Sequence, residues 1–141
     1  MDIKNINLNS DYPLGEKRKK WLKTSTGKTL DEITLEKVLS GDVKPEDIRI
    51  SPETLKLQGE IAKKGKRPTV TKNFERASEL VAIPDERILE IYNAMRPFRS
   101  SREDLLKIAD ELENKYSATV NANFIREAAE VYKERKKLRK D

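Results

Sequence analysis

The chain has 141 residues, with 30 lysines and arginines against 25 aspartates and glutamates, a net charge of +5, 39% charged and 35% hydrophobic residues, and neither cysteine nor histidine. These counts exclude disulfides, thiolate chemistry and cysteine-ligated zinc, and they remove the commonest general base and metal ligand. No apolar run approaches the roughly 20 residues of a membrane span, and the opening MDIKNINLNSDYPLG has no secretory apolar core, so the expectation is a cytoplasmic protein with no membrane partner.

The length suits one domain. Residues 1–29 are mostly polar: Asn5, Asn7, Asn9 and Ser10 precede Tyr12-Pro13, and Ser25, Thr26 and Gly27 follow. They are expected to form an extended N-terminal arm, anchored by Trp21 and Leu22, ahead of a helical domain over 30–141. A first helix is expected over 34–40, capped by Thr34 and stopped by Gly41. It carries Leu35, Val38 and Leu39 at helical spacing. Pro45 opens a turn, after which Ile48 and Ile50 are expected to point inward.

Pro52, Pro68 and Pro84 then recur sixteen residues apart. Each suits the first turn of a helix, where a missing N–H and a preset φ cost nothing. The expected helices are 52–64 with Leu55, Ile61 and Ala62 inward, 68–82 with Val70, Phe74, Ala77 and Val81, and 84–96 with Ile88, Leu89, Ile91, Tyr92 and Met95. Pro97 stops the third, because it disfavours helical geometry at Arg96. Ser100 or Ser101 caps a helix over 102–115, with Leu105, Ile108, Ala109 and Leu112 inward. The last helix is expected over 119–138, with Val120, Phe124, Ala128, Val131 and Tyr132 as its stripe. Nothing alternates with period 2, so the fold class is all-α: a single compact helical domain of about six helices with an extended N-terminal arm.

No residue set for chemistry emerges. The five glycines are scattered and form no phosphate loop. Ser100-Ser101 has no histidine to activate a hydroxyl. Asp110, Glu111 and Glu113 read as a solvated face, and Asp85 and Glu86 suit a helix N-terminus. Catalytic, cofactor-binding and metal-binding residues are therefore assigned as none. Basic residues cluster around Trp21, around Gly65 and at the C-terminus (Lys133, Arg135, Lys136, Lys137, Arg139, Lys140). They read mainly as solvated helix ends, with a basic helical nucleic-acid-binding domain as the alternative. Phe74, Tyr92, Phe124 and Tyr132 are expected in the core. Phe98 sits between Pro97 and Arg99, outside a helix, where it either seals the core or inserts into a partner.

The stretch IPDERILEIYNAMRPFRSS, 83–101, resembles the small subunit of adenosylcobalamin-dependent diol and glycerol dehydratases. SDYPL at 10–14, TGKTLDEITLEKVLSGDV at 26–43, IRISPETL at 48–55, NFERASELVAIPDERILEIYNAMRPFRS at 73–100, LLKIADELE at 105–113 and FIREAAEVYKERKKLRK at 124–140 resemble the same family in the same order. The resemblance implies a mostly helical, non-catalytic subunit of a hydro-lyase that converts glycerol to 3-hydroxypropionaldehyde or 1,2-propanediol to propionaldehyde. It implies a large barrel subunit holding substrate and metal, and a medium subunit, with adenosylcobalamin between those two and none on this chain. It also implies a dimer of heterotrimers, and no nucleic acid as partner. Some members carry a longer N-terminal extension linked to packaging in bacterial microcompartments. Only nine residues precede SDYPL here, so the expectation leans to a free cytoplasmic complex. The candidate subunit interface is Trp21, Ile88, Tyr92, Arg96, Phe98 and Arg99. Arg96 and Arg99 flank a proline-stiffened corner and are expected to pair either with a partner subunit or internally with Glu103 or Asp104.

Overall fold

A computed structural model describes residues 5–140. Among these there are eight α-helices and no strand. Extended pairing is limited, among the described residues, to two isolated antiparallel bridges, Lys23 with Thr29 and Thr24 with Ile50. All six expected helices are present: α3 (Leu35–Ser40), α4 (Pro52–Lys64), α5 (Pro68–Leu80), α6 (Asp85–Ala94), α7 (Arg102–Tyr116) and α8 (Thr119–Glu134). The other two, α1 (Leu8–Asp11) and α2 (Leu14–Lys17), are single turns within the N-terminal segment. The chain divides into two compact units, one reaching to Val81 and one starting at Ala82.

In the first unit, short polar side chains hold the turns of residues 5–29. The Asn7 side chain caps α1 by accepting from the N–H groups of Asn9 (2.9 Å) and Ser10 (3.4 Å). The buried Asp11 carboxylate accepts from the Asn7 N–H at 2.7 Å, from Ser10 Oγ at 3.0 Å and from Arg18 Nε at 2.7 Å. Arg18 in turn lies over the Trp21 ring, 5.0 Å from its centroid. Ile6, Leu14 and Leu22 are thereby buried with Leu57 and Ile61 of α4, and Trp21 packs against that cluster. Leu22 and Trp21 are anchors as expected. Ile6 and Leu14 are further anchors that the polar composition concealed.

A second buried carboxylate organises the loops. Asp47 accepts from Lys28 Nζ at 2.6 Å, from the Lys44 N–H at 2.8 Å and from Thr26 Oγ1 at 2.7 Å. The 3₁₀ turn Pro45–Ile48 therefore presents Asp47 inward, and Ile48 is 66% exposed. Ile50 is exposed as well. The expected inward pair is thus replaced by a polar node, because three donors converge where an isoleucine would leave them unsatisfied. The α3 stripe is similarly open: Leu35, Val38 and Leu39 are all exposed.

Both carboxylates are held below their ordinary value of 3.8, Asp11 chiefly by the Asn7 N–H and Arg18, and Asp47, the more strongly lowered, chiefly by Lys28 and the Lys44 N–H. A depressed folded-state pKa contributes stability that is complete above the unfolded value and is lost as pH falls toward the folded one. Melting temperature is therefore expected to be flat from pH 8 to about pH 5 and to fall below about pH 4. Asp47→Asn should lower the plateau and flatten the acid limb. An unchanged acid limb in thermal melts of this variant would exclude the node as its source.

The face that each long helix buries is chosen by small residues. In α4, a Cβ added at Gly59 would lie 3.3 Å from Phe74 Cβ, tighter than ordinary contact. The Gly59 carbonyl accepts from Thr71 Oγ1 at 3.4 Å. The α4–α5 approach thus runs over Gly59, and α5 buries Thr71 and Ser78. Val70, expected inward, is displaced to an exposed flank. The second unit repeats this. In α7, Leu105, Ile108, Ala109 and Leu112 are buried as expected. In α8 the buried set is Asn121, Ala122, Ile125 and Ala129, so Val120 and Phe124 are exposed instead of core. Alanine lets the backbones of α7 and α8 approach, and that face wins over the bulkier one beside it. Arg126 pairs with Asp110 (2.8 Å) and Glu113 (2.6 Å), Arg102 with Glu130, and Arg87 of α6 with Glu111 (2.5 Å). The carboxylates read as a solvated face are thus laced between helices. At such part-exposed positions each pair contributes at most about 1 kcal/mol.

Candidate functional site

The segment from α6 to the start of α7 presents the most exposed aromatic surface of the second unit. Only Ile91 of α6 is buried. Leu89 is 61% and Tyr92 68% exposed, against the expectation of core positions. Leu89 and Tyr92 follow at i and i+3, which places them on one face. Ile88, the remaining candidate on this helix, is half-buried. The helix is apolar over a wider arc than its own unit covers.

Beyond α6 the chain makes a tight corner. Met95 N–H donates to the Ile91 carbonyl and Ser100 Oγ to the Ala94 carbonyl at 2.8 Å, which closes the helix end. Ser101 then caps α7 reciprocally with Asp104. Ser101 is thus the cap, and Ser100 serves the preceding helix. Phe98 adopts φ of +66°, uncommon for a bulky residue. Its ring is 52% exposed. It therefore does not seal the core.

The C-terminal segment holds this corner. α8 ends at Glu134, short of the expected 138, and the chain folds back. The Phe98 N–H donates to the Lys137 carbonyl at 2.7 Å and the Arg139 N–H to the Ser100 carbonyl at 2.9 Å. Tyr132 Oη donates to the Met95 carbonyl at 2.7 Å, so Tyr132 is tied in by its hydroxyl. The Lys137 ammonium lies 5.0 Å from the Phe98 ring centroid, a cation–π arrangement. Asp104 pairs with Arg139 at 3.2 Å. Hydrogen bonds from Ser101, with the charge of Arg139, hold its carboxyl below the usual range. Asp104 is thus taken. Among the described residues, the Arg96 and Arg99 side chains have no hydrogen-bond or ion-pair partner. The expected internal pair is absent there. Trp21, the last candidate, lies in the first unit, part-buried against its core.

Among the described residues no group of three or more acidic side chains could hold a metal ion, and no helix is long and apolar enough to cross a membrane. The geometry is that of a small helical protein with capped helices, laced polar faces, and exposed aromatics at a hydrogen-bonded corner. Residues 8–139 match the dehydratase small subunit family. The chain is 61% identical over 132 residues to the propanediol dehydratase small subunit of Salmonella typhimurium, covering 94% of this chain and 76% of that protein. It is 59% identical to the propanediol dehydratase small subunit of Citrobacter freundii, covering 94% of this chain and 77% of that one. The chain belongs to the dehydratase small subunit family. The nucleic-acid alternative has no support from these comparisons. Sequence reasoning placed Tyr92, Arg96, Phe98 and Arg99 together. It missed the return of the C-terminal basic run, for which no local signal exists.

Proposed function

We propose that this chain is the non-catalytic small subunit of an adenosylcobalamin-dependent diol dehydratase, acting on 1,2-propanediol or glycerol. The observation that carries this is the continuous match over residues 8–139. The names of the two relatives support 1,2-propanediol as the substrate class. In this reading the chain docks on the catalytic large subunit, within a dimer of heterotrimers that also contains a medium subunit and works in the cytoplasm. On the second unit Tyr92, Arg96, Phe98, Arg99 and the half-buried Ile88 are docking residues, and Trp21 is a separate docking residue on the first unit. Adenosylcobalamin, when bound by the assembled complex, supplies the radical that starts the dehydration. In this reading the partner subunits hold the cofactor and this chain does not.

Co-expressed with large and medium subunits, the chain is expected to co-purify at equal stoichiometry and to stay bound in moderate salt, because an apolar contact loses little to screening. Loss of the partners on purification would refute the reading. Titration of cobalamin into the chain alone is expected to leave its absorbance spectrum unchanged, and stoichiometric binding at micromolar affinity would contradict the assignment of the cofactor to the partners.

A further inference from the structure

The corner and the C-terminal run are distant in sequence and joined in space by the Phe98–Lys137 and Ser100–Arg139 backbone hydrogen bonds. Residues 96–99 and 133–140 together carry eight cations, Arg96, Arg99, Lys133, Arg135, Lys136, Lys137, Arg139 and Lys140, against the one carboxylate of Glu134. That surplus exceeds the +5 of the whole chain. Only Arg139, among these, has a carboxylate partner among the described residues, Asp104. Like charges gathered on a short surface repel one another, and a facing negative potential relieves this. Among these cations, Lys137 lies 5.0 Å from the exposed Phe98 ring, and Tyr92 and Leu89 are exposed on the adjoining helix.

From this arrangement we infer that the joined corner and C-terminal segment form a docking surface for an acidic face of a partner subunit, in which Phe98 and Tyr92 enter an apolar recess and the cations meet a rim of carboxylates. This deepens the small-subunit reading and rests on it. A protein partner fits better than a nucleic acid. An exposed leucine and tyrosine at helical spacing suit an apolar groove, whereas phosphate binding makes no use of Leu89. Charge at the rim steers encounter, while desolvated aromatics at the centre slow release.

The test is the rate at which the purified chain joins a complex of large and medium subunits, measured across ionic strength. Two double variants, R96E/R99E and K136E/K140E, are compared with wild type. K64E/K72E on the first unit is the control. Each of the first two is expected to associate about tenfold more slowly at low ionic strength and to show a flatter salt dependence, with little change in dissociation. The control should keep both wild-type rates. Circular dichroism of each variant confirms folding, and either double variant suffices if the other is unfolded. Association rates and salt dependence equal to wild type in a folded variant would overturn the inference. So would tighter retention of the wild-type chain on duplex DNA than on the partner subunits at the same ionic strength. Failure of the wild-type chain to associate at all would instead defeat the small-subunit reading itself.

Discussion

Leu112→Ala is expected to destabilise the second unit by about 2–5 kcal/mol. Leu112 is one of the largest fully buried side chains, and in α7 it stands one turn from Ile108 and Ala109. Truncation removes its methyl groups from the buried face between α7 and α8, where α8 buries Ala122, Ile125 and Ala129. A close-packed interior relaxes only partly into such a space, so a cavity remains and the cost lies above that of transfer alone. For a unit of this size about 1 kcal/mol shifts the midpoint by roughly 4–8 °C, so a loss of about 8 °C or more is expected in thermal melts of the chain. Leu39→Ala is the contrast. Leu39 is 79% exposed on α3, and its removal should stay within about 0.5 kcal/mol. Equal shifts for the two variants would mean that the buried face of α7 has been wrongly placed.

Tyr92→Ala is expected to leave the melting of the free chain almost unchanged and to weaken its hold on the dehydratase complex by about 2 kcal/mol or more, roughly thirtyfold. The free chain loses little because Tyr92 is exposed. The complex loses much because aromatic anchors near the centre of an interface carry a disproportionate share of affinity. Phe98→Ala should act in the same direction, with a small additional cost in the free chain from the lost Lys137 contact. The measurement is retention of the small subunit after dilution of the assembled complex. Retention equal to wild type in both variants, with a lowered melting point for Phe98→Ala alone, would show the corner to be a structural device and not a docking point.

The two predictions draw on different sources. The caps that start and stop the helices are local: Thr34, Ser51 and Ser101 each accept an N–H three residues on, and Pro52 and Pro68 open the first turn. A residue and its near neighbours suffice to specify these, so six helices, the stop at Pro97 and the aromatic corner were legible directly. The missing histidines and cysteines, and the blocks that resemble the dehydratase small subunits, were legible for the same reason: they need only the order of residues.

The direction in which each helix buries its side chains was not local. Hydrophobic spacing in α8 favoured Val120 and Phe124, yet Asn121, Ala122, Ile125 and Ala129 are the buried ones. The decision belongs to the closest approach of two backbones, and that approach runs where residues are smallest, as at Gly59 against α5. Ile48 lost its inward place to Asp47 because Lys28, Lys44 and Thr26 brought donors from separate loops. By itself the sequence determined an all-α chain without histidine or cysteine and with the marks of a dehydratase small subunit. Only the tertiary structure decided which apolar residues stay open to solvent, and that the basic C-terminus returns to the Phe98 corner, because both depend on contacts between residues far apart in the chain.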